Sequence, residues 1–229
     1  MGEVIRKGSA AGDVLADVTT TLHNARAKGG VWESVAEEKL AVVEKLGALV
    51  ASRLKEADAV LQPLRAALDA EDDHADDLLG GVSDDIWNKV GRPGADPVLS
   101  IIFPGGVAYY ADGRDEEQPD RMDLLSEFLN AGLHPKLDRK VAAAHAKSVR
   151  ESAEVYRKRA EATRKPAARV KLLSAMHVSV ARYAQTELAN LKRRYKSEGF
   201  SEADIHGVIP DRPRAKAAAA PAPADPVTP

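Results

Sequence analysis

From Pro166 to Tyr195 one apolar stripe repeats at helical spacing without a break: Val170, Leu173, His177, Val180, Ala184, Leu188, Leu191 and Tyr195 recur three or four residues apart. That spacing sets them along one side of an α-helix. A stripe of such length is buried only against another helix of similar length. Val43, Leu46, Val50, Leu54, Ala57, Leu61, Leu64 and Leu68 supply it, stepping in the same way. The chain therefore reads as all-α, an antiparallel bundle of long helices packed side by side in the manner of a coiled coil.

Punctuation between the stripes sets the expected boundaries. Residues 1–12 hold charges, glycines and no periodicity and read as a flexible start; 13–207 read as the helical bundle; 208–229, rich in Ala and Pro, read as a disordered tail. Asp13 suits the start of a helix to Lys28 with Val14, Leu15, Val18 and Leu22 on its apolar side. Gly29 and Gly30 then allow a left-handed reversal into a second helix over 31–70. Pro63 predicts a kink or break at Gln62, Gly80 and Gly81 an interruption, and Ser83 the cap of a short new helix.

The region near 93–118 differs in kind. Prolines and glycines bracket two apolar runs, 98–103 and 107–110. Two readings fit them: a β-hairpin, and an irregular apolar loop closing the end of the bundle. Pro119 and Asp120 open a helix that Gly132 ends. Over 136–163 a stripe of small residues follows: Leu137, Val141, Ala144, Ser148, Ser152, Val155 and Ala162. At Pro166 the chain is expected to reverse, the alternative being one kinked rod.

Charge is unevenly distributed. Glu33 to Glu127 holds 22 acidic and 9 basic residues, and Lys136 to Glu198 holds 17 basic and 6 acidic, although the net formal charge is only -2. Acidic helices beside basic ones in one molecule satisfy that layout, and so do opposite faces meeting between molecules. The absence of Cys removes disulfides and thiolate metal sites. Nothing has the length of a membrane span or a signal peptide, so the expectation is a cytoplasmic protein with no membrane contact.

Chemistry-bearing motifs are few. Glu71 and His74 form a single Glu-x-x-His pair inside a run of surface acids, where a carboxylate-bridged metal site needs two such pairs. His177 and His145 lie on or near apolar seams, where a histidine is ordinarily a boundary residue bonded to a neighbour. No phosphate-binding loop or nucleophile elbow is present. No catalytic, cofactor or metal residues are therefore assigned. Two candidate sites remain: a ligand pocket at Phe103, Tyr109, Tyr110 and Asp112, and an interaction face at Lys192, Arg193, Arg194 and Lys196. The reading favoured is a non-enzymatic structural or adaptor bundle acting through protein–protein contacts, self-associating by its acidic and basic faces. The alternatives are a nucleic-acid binder using 136–216, and a small-ligand or enzymatic site at 103–112.

Overall fold

A computed structural model describes residues 10–210. It is 82% helical, with no strand among the described residues. Among the described residues seven helices follow one another: α1 (Ala11–Lys28), α2 (Gly30–Lys89), α3 (Pro97–Ile102), α4 (Ala108–Ala111), α5 (Gln118–Asn130), α6 (Arg139–Ser197) and α7 (Glu202–His206). The long helices α2 and α6 pack together. Two compact units result, one from Met1–Arg53 with Leu173–Pro229, the other from Leu54–Leu172. Of the expected flexible start at 1–12 and tail at 208–229, residues 1–9 and 211–229 fall outside the described residues. Ala11 and Gly12 already belong to α1, and Val208 and Ile209, placed in the tail by sequence, are fully buried.

In the first unit, α1 turns back on α2 at Gly29 and Gly30, whose φ values of 68° and 56° lie where side chains are strained. The two helices then pack closely. A side chain at Gly47 would meet Leu15 at 3.0 Å, and Arg26 of α1 bonds Glu37 of α2 at 2.6 Å. Val14, Val18, Leu22 and Ala25 of α1 meet Ala36, Leu40 and Val43 of α2 and Ala184, Leu188, Leu191 and Tyr195 of α6 in one core. Ile205 of α7 and Val208 and Ile209 after it join this core, and the turn into α7 is held by aromatic rings. Trp32 stacks on Phe200 at 3.8 Å and lies 4.5 Å from Tyr195, whose hydroxyl donates to the Trp32 carbonyl at 2.7 Å.

The second unit is built around Leu79, Val82 and Ile86 of α2, Met122, Leu125 and Leu129 of α5, and Ala142, Ala146, Val149, Ala153 and Tyr156 of α6. Small alanines on α6 let the helices approach, and the buried Ser126 hydroxyl donates across to the Ala146 carbonyl at 2.9 Å. Tyr156 donates to Asp72 at 2.9 Å, fixing the level at which α2 and α6 meet here.

Several sequence expectations are corrected. α2 runs unbroken through Pro63 and through Gly80–Gly81, so Ser83 caps nothing. α6 runs unbroken through Pro166, so the expected reversal does not occur. Neither a hairpin nor a wholly irregular loop occupies 93–118; α3 and α4 lie there, α3 being capped by Asp96 with Pro97 in its first turn. On α6 the buried side is Ala142, Ala146, Val149, Ser152, Ala153 and Tyr156; of the expected stripe Leu137 and Ser152 are buried, while Ala144, Ser148, Val155 and Ala162 are exposed, so most of it is out of phase. Leu46 is exposed as well, although Leu61 and Leu191 are fully buried.

Candidate functional site

The four residues expected to form a pocket are distributed differently. Tyr110 is fully buried, its hydroxyl donating to the Ile102 carbonyl and its ring meeting Phe103 and Tyr109 edge-on at 6.0 and 5.1 Å. Burial pushes this hydroxyl up to about 12. Tyr109 is exposed and faces the Arg121 guanidinium, 5.8 Å from its ring centre, while Arg121 donates to the Asp112 carbonyl. Tyr110 thus bolts α4 onto α3. Phe103 alone of the four lines a hollow of about 280 Å³, together with Trp87, Pro93, Asp96 and Leu99.

Ser83, Asp84 and Ser100 also line that hollow, and its Asp96 carboxylate is already committed. One Asp96 carboxylate oxygen accepts from the Val98 and Leu99 amides at 2.9 and 3.1 Å, and the other meets His134 Nε2 at 3.0 Å. Because His134 Nδ1 accepts from the Lys136 amide at 3.1 Å, Nε2 carries the proton and donates to Asp96. His134, buried, therefore ties the segment after α5 to the start of α3. The His134 bond first, then the Leu99 amide, holds the Asp96 carboxyl below its usual range. A lowered carboxylate contributes stability that is present above its unfolded value and lost as pH falls through the folded one. Asp96→Asn should accordingly lose stability at neutral pH, the difference from the parent protein shrinking below about pH 4. Urea midpoints taken from pH 7 to pH 3 check this; a pH-independent difference would refute the linkage.

The basic face is partly neutralised within the chain. Lys192 and Lys196 converge on Glu202 of α7 at 2.7 and 2.9 Å, and Arg194 pairs with Glu198 at 2.9 Å. The Lys192 bond, followed by that from Lys196, lowers Glu202 to about 2. Arg193 is exposed. His145, on the seam of α6, bonds Asp85 at 2.8 Å, and His177 is half-buried. Glu71 and His74 line a shallow hollow with Glu151, but no group among the described residues is arranged to hold a metal. No helix of the described residues is long and apolar enough to cross a membrane.

A surface that sequence reasoning missed lies in the first unit. Val42, Leu46 and Leu49 step along α2 at helical spacing and are exposed, Val42 by 62% and Leu49 by 54%. On α6, Met176 and Tyr183 stand seven residues apart and are exposed too, Tyr183 by 50%. The two strips share a flank. Lys39, seven residues before Leu46, interacts electrostatically with Glu187, four residues after Tyr183, and Glu38 does so with Arg194. The α1 contacts of α2, at Glu37, Glu44 and Gly47, occupy its other side. One apolar face of α2 and α6 is therefore uncovered by the described residues of this unit. Its signal in the sequence is the apolar pair Val42 and Leu49 flanking Leu46, a member of the main stripe that is exposed.

Compared with known proteins, the chain matches no family model, no curated sequence and no solved structure.

Proposed function

We propose that this chain is a non-enzymatic structural or adaptor protein that works through protein–protein contacts, self-association among them. The observation carrying this reading is the face of Val42, Leu46, Leu49, Met176 and Tyr183. Scattered single apolar residues are normal on a surface, but a contiguous strip on two adjacent helices marks an interaction site. The hollow beside Phe103 lends less support to a ligand site, since its Asp96 carboxylate and the neighbouring imidazole hold the fold together. Nucleic-acid binding through Lys192, Arg193, Arg194 and Lys196 is weakened by the Glu202 and Glu198 pairs.

Light scattering over a range of concentrations and salt is expected to give a mass above that of one chain. Association through acidic and basic faces weakens as salt rises, whereas association through an apolar face persists. A single-chain mass at every concentration and every ionic strength would overturn self-association.

A further inference from the structure

We propose that a second copy of this chain covers the α2–α6 face of the first unit, related to the first by a two-fold axis at the level of Leu46 and Tyr183. The proposal rests on the self-association reading and specifies its surface. Five large side chains, each close to half exposed, present on the order of 500 Å² of accessible area, which is at the upper end for a patch on a free monomer. With their charged rim they approach the roughly 800 Å² that each partner contributes to a standard interface.

Charge favours a copy of the same chain over a strongly acidic or basic partner. One end of the face carries Glu38, Lys39, Glu187 and Arg194, so both signs alternate there and offer no single-sign field to steer a charged ligand. Arg53 lies at the other end, seven residues beyond Leu46 as Lys39 lies seven before it. A two-fold axis at Leu46 brings Arg53 of each copy to the level of Glu38 and Lys39 of the other. The apolar middle then meets itself, and Arg53 of each copy meets the Glu38–Lys39 pair of the other, joined at 2.8 Å, in which the glutamate offsets the lysine.

The chain has no Cys, so a single introduced one reports on its own environment. Under mild oxidation the full-length Leu46→Cys protein is expected to form a disulfide-linked dimer, because a residue on a two-fold axis meets its own copy. Thr20→Cys, exposed on α1, is expected to remain uncrosslinked. Leu46→Arg, at a position already open to solvent, should keep the helical circular dichroism of the parent and weaken dimerisation roughly tenfold or more in sedimentation velocity. Association that survives Leu46→Arg without Leu46→Cys crosslinking would overturn this face while leaving self-association standing. A parent protein that sediments as one chain at all concentrations would remove both.

Discussion

Replacing Tyr195 by Ala is expected to destabilise the first unit by roughly 3–5 kcal/mol, the range for deleting a large buried ring. Tyr195 is fully buried, packs against Trp32 at 4.5 Å and Phe200 at 5.9 Å, and donates to the Trp32 carbonyl at 2.7 Å. Burial pushes its hydroxyl above the ordinary tyrosine range, so it stays a donor through any physiological pH. Truncation leaves a cavity, strips a backbone acceptor of its partner and loosens the clasp that holds α7. Tyr195→Phe separates these effects, removing only the hydroxyl at about 1 kcal/mol. The two tryptophans, Trp32 and Trp87, fall one in each unit, so urea unfolding followed by fluorescence in a Trp87→Phe background reads the first unit alone. A loss under about 1 kcal/mol for Tyr195→Ala would contradict a core organised on this ring.

Pro63→Ala and Pro166→Ala are expected to act in the opposite direction. Both prolines sit inside continuous helices, leaving the carbonyls of Ala59 and Ala162 without the amide that would ordinarily face them. Proline in a helix interior costs about 3 kcal/mol, partly offset by about 0.4–1 kcal/mol because it also restricts the unfolded chain. A net gain of about 2 kcal/mol follows for Pro63, whose ring is exposed and has little packing to lose. Pro166 is half-buried beside Ala57 and Val60, so its gain should be smaller. Chemical denaturation of each variant gives the number. A loss of stability at Pro63 would show that its ring fixes a backbone bend on which the packing of α2 depends.

The same prolines mark where sequence reasoning stopped short. The apolar period continues on both sides of Pro63 and Pro166, and that continuity, rather than the residue in the middle, decided the outcome. Tertiary burial of Leu61 and Leu68 outweighs a missing amide. Gly80 and Gly81 cost the helix about 1 kcal/mol each relative to Ala, yet Leu79 and Val82 on either side are buried and hold the turn in place. Elsewhere local chemistry was decisive. The double glycine at 29–30 reads correctly as a reversal because two consecutive positive φ values leave no other residue comfortable.

Asp96 followed by Pro97 is legible as a helix start, a local signal that the apolar runs after it obscure. On the first half of α6, alanines and serines surround the helix on every side, so composition could not fix the phase; Val149 and Tyr156, seven apart, carry it. The partners of His134 and His145 come from 38 and 60 residues away, a separation across which a single sequence offers no signal. The uncovered face could be seen only once the main stripe had been assigned to the core.

The first unit draws its helices from either side of Leu54–Leu172. During synthesis α1 and the beginning of α2 emerge before α6, and Leu22, Ala36 and Leu40 then lack the α6 residues that finally cover them. At roughly 5–20 residues per second the ribosome takes on the order of ten seconds to deliver the intervening segment. The second unit, contiguous in the chain, has all its helices in hand before the first one does. Nascent chains thus carry a greasy α1–α2 hairpin through that interval, until the second half of α6 arrives to close it.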